Sequence, residues 1–246
     1  MLTINNTQNL SEQILNKQDL SAQNFNSQNL EKIDRFTRSR WLFGDDFIKL
    51  QRAKILVCGC GGVGGAAISA LYRCGVGYIS VLDCDSFDIT NQNRQIGSEF
   101  VGELKAEVFS RLFAGIIAFT LRIDENSINK IDFSAYDIVI DAIDDVKAKI
   151  LLAKKCDELG IGFFSSLGAA RRIDASKISV KSIWQTSNDP FARKIRYELR
   201  RANFKGDFMV VCSNETPKCT RLGSFMGVTA SFGLMLASLC VEKICK

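Results

Sequence analysis

The chain of 246 residues contains no histidine. That absence removes the Ser-His-Asp triad, the Cys-His dyad, the imidazole metal ligand and the imidazole general base. Any chemistry must run on Asp, Glu, Arg, Lys, Cys or a cofactor. C-x-x-C pairs are missing as well. The nine cysteines (58, 60, 74, 84, 156, 212, 219, 240 and 245) are scattered and odd in number, and no basic-then-apolar leader is seen. Together these features predict free thiols in a reducing, cytoplasmic setting. No cysteine stands out as a nucleophile, since a reactive thiol needs an electropositive setting that the sequence does not reveal. Charge of one sign is not in large excess. The net charge of +5 permits an anionic partner without demanding one. Uncharged runs of membrane length are limited to Leu222–Val241, and Gly223, Gly227, Gly233, Ser224, Thr229, Ser231 and Ser238 dilute its hydropathy. This run is predicted to be a buried C-terminal helix, with no stable membrane insertion.

What is present divides at about residue 33. From Gln8 the sequence runs in Gln-led units of five, QNLSE, QILNK, QDLSA, QNFNS and QNLEK, with Leu10, Leu15, Leu20, Phe25 and Leu30 at the third place. Too few units are present for a stacked solenoid, so residues 1–33 read as a Gln/Asn-rich arm. Residues 34–246 read as one α/β domain of ordinary globular composition, 46% hydrophobic and 24% charged.

Strand and helix signals alternate through that domain. Helices are expected at 45–52, 63–74, 102–116 and 147–159, the last with Ile150, Leu151 and Leu159 as its apolar face. Strands are expected at 54–58, 78–82, 137–140 and 161–165. The fold class is therefore α/β, a doubly wound, Rossmann-like and mostly parallel sheet with ligands at the C-terminal strand ends. Beyond it, Ile178, Val180 and Ile183 alternate as an antiparallel strand, a strongly basic helix covers 190–203, and the apolar C-terminal helix closes the domain.

The stretch KILVCGCGGVGG (54–65) runs a strand into Gly59, Gly61, Gly62 and Gly64. In this G-x-G-x-x-G spacing the first glycine turns the chain, the second admits a phosphate to the backbone, and the third packs helix on strand. Asp83, at the end of the second strand, suits a ribose hydroxyl, which NAD and ATP share. Arg94 and Lys105 favour the triphosphate, because two cations suit a charge of about −4 better than a pyrophosphate diester of about −2. Asp141, Asp144 and Asp145 follow the third strand as hard oxygen ligands for Mg²⁺.

The combination GxGGVG, LxDxD (Leu82–Asp85), NxNRQ (Asn91–Gln95), a lysine about ten residues later and DAID resembles the ubiquitin-activating-enzyme superfamily, whose members adenylate carboxylates. Arg35-Phe36-Thr37-Arg38, Asp141-Ala142-Ile143-Asp144, Ser166-Leu167-Gly168-Ala169 and 189–201 resemble its tRNA threonylcarbamoyladenosine dehydratase branch. The resemblance implies ATP and Mg²⁺ as cofactors. It implies phosphates on Gly59, Gly61, Gly62 and Gly64, the nucleotide held by Asp83, Asp85, Asn91, Gln95 and Asp141, and catalytic roles for Arg94, Lys105 and Asp144. Asp144 would position the metal, and Arg38 would enter from the other subunit of a homodimer. Two departures stand out: the two C-x-x-C pairs of sulfur-carrier activators are absent, and the arm has no counterpart.

The implied activity is ATP-dependent dehydration of threonylcarbamoyladenosine in tRNA beside the anticodon. Adenylation of the C-terminal glycine of a small sulfur-carrier protein is the alternative, with an NAD-dependent dehydrogenase and a non-enzymatic nucleotide-binding module behind it. Which sulfur-transfer proteins associate stays open. For tRNA, the candidate surface is 193–205, including Arg193, Lys194, Arg196, Arg200 and Arg201. Its six cations and one Glu give a surplus of five, equal to the net charge of the chain. Arg171, Arg172, Lys177 and Lys181 could extend the patch, and Tyr197 and Phe204 could stack on bases or anchor the helix.

Overall fold

In a computed structural model the described residues are 33–246; the Gln-led repeats lie outside them. The elements in chain order are α1 (Thr37–Phe43), α2 (Asp46–Arg52), β1 (Lys54–Cys58), α3 (Gly62–Cys74), β2 (Tyr78–Leu82), α4 (Lys105–Leu112), β3 (Ile117–Phe119), β4 (Ile138–Asp141), α5 (Val146–Leu159), β5 (Gly162–Ser166), β6 (Ile178–Ser182), α6 (Pro190–Arg201), β7 (Met209–Ser213) and α7 (Met226–Cys245).

The strands form one sheet in the order β3-β2-β1-β4-β5-β7-β6, in which only the β6–β7 pairing is antiparallel. The expected doubly wound sheet with an antiparallel end is therefore present. Its central strands are apolar on both faces because helices cover both. Within β1, Ile55 and Val57 point into a core shared with α2, α3, α4 and α7. Leu56 and Cys58 point into a second core with α5 and α6. The strand order reverses between β1 and β4, and such a switch point opens a crevice at the carboxyl ends of the strands.

Three elements carry no expectation from sequence: α1, β3 and β7. The helix expected over 102–116 is cut to Lys105–Leu112. Gly102 and Gly115 take positive φ at its two ends, and 117–119 pairs with β2 as an edge strand. The expected apolar face of α5 is also corrected. Its fully inward residues are Ala148, Lys149, Leu152, Ala153 and Cys156, with Ile150 and Leu151 half-buried against the same core, while Leu159 is exposed. A lysine occupies the inner face because a buried carboxylate awaits it, as described below.

The C-terminal helix is buried on one face only. Val228, Thr229, Phe232, Gly233, Leu236, Ala237 and Cys240 face the protein, whereas Leu234 is 53% exposed. By length and composition it is the one helix among the described residues able to cross a bilayer, and here it packs along α3. The contact is close: a Cβ at Gly233 would lie 2.1 Å from the Val63 carbonyl oxygen.

Gly64 locks the other side of that first turn, since a Cβ there would sit 1.7 Å from the Gly59 carbonyl oxygen. The obstacle is backbone, so no rotamer relieves it. Gly64→Ala is expected to destabilise the fold by about 3 kcal/mol, the upper end for overpacking, as a lowered urea midpoint at unchanged slope.

Candidate functional site

The crevice is a cleft of ≈ 570 Å³ along the strand ends. Its floor is the turn after β1. Gly59 has φ +97 and donates its N–H to the Leu82 carbonyl at 2.7 Å. A side chain there would strike the Ala142 carbonyl oxygen at 2.7 Å, so both conformation and space require glycine. A Cβ at Gly61 would meet nothing nearer than Gln95 Nε2 at 3.8 Å, leaving the backbone open to a ligand. Gly61 is also the N-cap of α3, with no side chain on the free N–H groups. An uncapped helix start over an open backbone is an anion cradle.

The ends of β2 and α4 supply the next wall. Asp83 accepts hydrogen bonds from the N–H groups of Cys60 (2.6 Å) and Asp85 (2.8 Å). Burial nevertheless raises its pKa above the ordinary carboxylate value. Lys105 is buried with its Nζ 3.5 Å from Asp85 Oδ2. Arg94 lines the cleft while donating to the Thr90 carbonyl (2.9 Å) and Asn93 Oδ1 (2.7 Å). Gln95 Oε1 is buried without a hydrogen-bond partner, and a buried orphan acceptor facing a cleft invites a ligand donor.

The three aspartates after β4 separate into three roles. Asp145 caps α5 through the N–H groups of Lys147 (2.8 Å) and Ala148 (3.2 Å) and pairs with Arg122 at 3.3 Å. Asp141 is fully buried, accepting from Lys149 Nζ at 2.8 Å, Ser165 Oγ at 2.6 Å and the Ile143 N–H at 3.1 Å. Its expected contact with the nucleotide is thus corrected: the carboxylate faces the sheet and is satisfied there. Asp144 alone is exposed in the cleft, with no ion pair or hydrogen bond among the described residues. It is the carboxylate left to hold a cation.

Asn91 and Gly64 likewise stand behind the cleft wall. Asn91 accepts the Asp88 N–H at 3.1 Å in a capping box that shapes the Arg94 loop. Arg38 is exposed on α1, and α1 sits at the far end of α3 from the glycines. Arg35 stacks over Tyr72 at 4.2 Å and donates to the Tyr72 carbonyl at 3.2 Å, and the 13 residues of α3 span about 20 Å. Within its own chain Arg38 does not belong to this cleft.

Residues 36–246 match the ThiF family. The chain belongs to that family. Its relatives include the tRNA threonylcarbamoyladenosine dehydratase of Bacillus subtilis, 34% identical over 194 residues that cover 75% of this chain and 76% of that protein. The Escherichia coli protein of the same name is 32% identical, with 85% and 93% covered. The crystal structure of E. coli TcdA in complex with AMP superposes with a TM-score of 0.80 at 32% identity, covering 85% of this chain and 93% of that one. The complex of TcdA with ATP gives 0.79 at 31%, with the same coverage.

In this ThiF-family chain the basic segment is the amphipathic helix α6. Ala192, Ile195 and Leu199 are buried, and Arg193, Lys194, Arg200 and Arg201 are exposed. Arg196 departs from expectation, turned partly inward to donate to Thr186 Oγ1. Phe204 is buried as an anchor, while Tyr197 is 58% exposed. Arg172 does not extend the patch. It is 3% exposed, donating to Asp189 Oδ2 at 3.3 Å and to the Glu215 carbonyl at 3.2 Å. Asp189 Oδ1 in turn caps α6 through Phe191 N–H at 2.8 Å, so the cleft wall and the basic helix share one ion pair.

Two of the buried thiols are poor nucleophiles. Burial raises Cys60, inside the glycine turn, well above the ordinary value, and Cys212 is raised for the same reason.

Sequence reasoning missed Lys149, and it placed Arg171 on a basic surface rather than in the cleft. One lysine among the four of α5 carries no local signal, since its partners come from two strands, β4 and β5. Lys149→Met strands Asp141 in the core and is expected to cost about 3–5 kcal/mol. Adding Asp141→Leu should recover most of that loss in a double-mutant cycle followed by thermal denaturation.

Proposed function

We propose that this protein is an ATP-dependent tRNA threonylcarbamoyladenosine dehydratase. The observation that carries the reading is the anion cradle at Gly61, flanked by Arg94 and Lys105 and faced by the free carboxylate of Asp144. ATP fits the donor set: the open Gly61 backbone and helix start take phosphates, Asp83 the ribose, and Gln95 Oε1 a donor of the ligand. Mg²⁺ fits Asp144, and when bound it would neutralise phosphate charge.

The residues then have separable tasks. Arg94 and Lys105 hold the triphosphate so that the α-phosphorus faces the β4 end of the cleft. An oxygen of the substrate carboxylate bonds to that phosphorus as pyrophosphate leaves, giving an acyl adenylate. A neighbouring nucleophile of the same nucleoside then attacks the acyl carbon and AMP departs, so the cycle removes one water. Fixed cations stabilise the charge that develops at phosphorus, without the reorganisation solvent would require.

The homodimer belongs to this proposal. Arg38 shares α1 with Trp41 and Leu42, which are 71% and 77% exposed, and exposed apolar residues beside a cation suit a second copy of the chain. The cytoplasm is the matching compartment. Incubation with ATP and tRNA carrying the threonylcarbamoyl group should release AMP. Asp144→Ala should lose about two to three orders of magnitude of that rate with its thermal midpoint unchanged. Mixing it with an Arg38→Ala chain should restore up to one working site per heterodimer. No recovery despite subunit exchange would overturn the in-trans role.

The tRNA surface in this reading is the outer face of α6. Replacing Arg193, Lys194, Arg200 and Arg201 by Glu should abolish tRNA binding in filter assays while ATP binding persists. Wild-type affinity should fall steeply with salt as counterions are released. Normal tRNA turnover in the quadruple variant would take the RNA surface off α6.

A further inference from the structure

The cleft has a second half, away from the glycine turn, whose wall is the loop after β5 (Leu167–Arg172) together with Pro190, Phe191, Pro217 and Leu222. Arg171 stands in this half with three unusual features. Its φ is +67. The other described non-glycine residues of positive φ are Asn188 and Asn203, and asparagine tolerates that region, whereas a long side chain with a full Cβ does not do so readily. Two main-chain hydrogen bonds impose the conformation: Arg171 N–H donates to the Gly223 carbonyl at 2.8 Å, and Lys218 N–H donates to the Arg171 carbonyl at 2.8 Å. Finally, Arg171 Nε is buried with no hydrogen-bond partner, and the guanidinium joins no ion pair among the described residues. Its neighbour Arg172 is fully committed to Asp189 and Glu215. A strained backbone that delivers an unspent, half-sequestered cation to a cleft is a feature that a ligand would explain.

The sheet says which ligand. Across the strand ends the order is β2, β1, β4, β5, which places Asp83, the glycine turn, Asp144 and Arg171 in sequence. Arg171 therefore lies in the loop on the far side of β4 from the phosphate cradle, on the side from which an incoming group would reach an α-phosphorus near Asp144. Arg94 and Lys105 already serve the nucleotide end. We infer that Arg171 binds the carboxylate of the acceptor through its guanidinium fork, holding the attacking oxygen toward the nucleotide. A planar fork matches a carboxylate in two parallel hydrogen bonds, which fixes direction as well as place. This inference rests on the reading of the protein as a carboxylate-activating enzyme.

The test uses the full chain, Arg171→Gly, and two anticodon stem-loop RNAs that differ only in carrying a threonylcarbamoyl group or a plain adenosine. Glycine accepts φ +67 without strain, so the variant should melt no lower than wild type, which a merely structural role for Arg171 would not allow. Wild type should prefer the carboxylate-bearing RNA. The variant should lose about 10- to 100-fold of affinity for that RNA alone, with plain RNA and ATP affinities unchanged. Arg171→Gln, which keeps the bulk but not the charge, should behave as the glycine variant does in binding. Equal weakening of both RNAs would assign Arg171 to an RNA phosphate. Weakened ATP binding would assign it to the nucleotide, and a retained preference would leave it no ligand role; each overturns the inference. Absence of any preference in wild type would instead overturn the functional reading on which it stands.

Discussion

The buried pair of Lys149 and Asp141 is the constraint on which the site depends. The side chains are 2% and 0% exposed, and Lys149 Nζ reaches the Asp141 carboxylate at 2.8 Å, Ser165 Oγ at 3.3 Å and the Ser166 carbonyl at 2.7 Å. One cation thereby ties α5 to the ends of β4 and β5, where both cleft-forming loops begin. Burying two charges is expensive unless every lone pair and proton is used, and here Asp141 has three donors. With Asp141 turned into the sheet and Asp145 spent as a cap, the chain between them presents Asp144 to the cleft by default. The free carboxylate is a product of how its neighbours are satisfied.

The same logic divides the cleft. Its nucleotide half is made mostly of backbone: a glycine turn, an uncapped helix start and the N–H groups that hold Asp83. Its other half is made of side chains from the loop after β5 and the start of α6. Backbone cradles suit phosphates, which every ATP-using relative must hold. Side chains on loops can be exchanged without disturbing the sheet. The pair Arg172–Asp189 links this exchangeable half to the basic helix, so the cleft wall and α6 are held in register by one ion pair.

Much of this was legible in the sequence. The strand 54–58, the glycine turn and Asp83 announce themselves because their constraints are local: a turn that only glycine permits, and a strand that is apolar on both faces. The paired roles of Asp141 and Lys149 were not legible, because the sequence shows three aspartates in five positions and gives no sign of which one a lysine eight residues on will claim. Edge strand β3 is too short to show a period, and β7 pairs with residues far away in sequence. The outward face of α7 was hidden by its composition, since small and apolar residues on all sides blur a helical stripe. Arg171 was read as part of a basic surface because its φ, unlike that of the glycines, leaves no mark in the residue type.

The contact between Gly233 and the Val63 carbonyl places α7 against the first turn of α3, and Thr229 Oγ1 lies 3.0 Å from where a Cβ of Gly62 would be. Synthesis proceeds from the N-terminus, and domains mature as their chain emerges. The turn at 59–64 is therefore made early, yet one of its walls is made late. A chain stopped short of residue 226 carries the whole glycine motif but lacks this wall of its cradle.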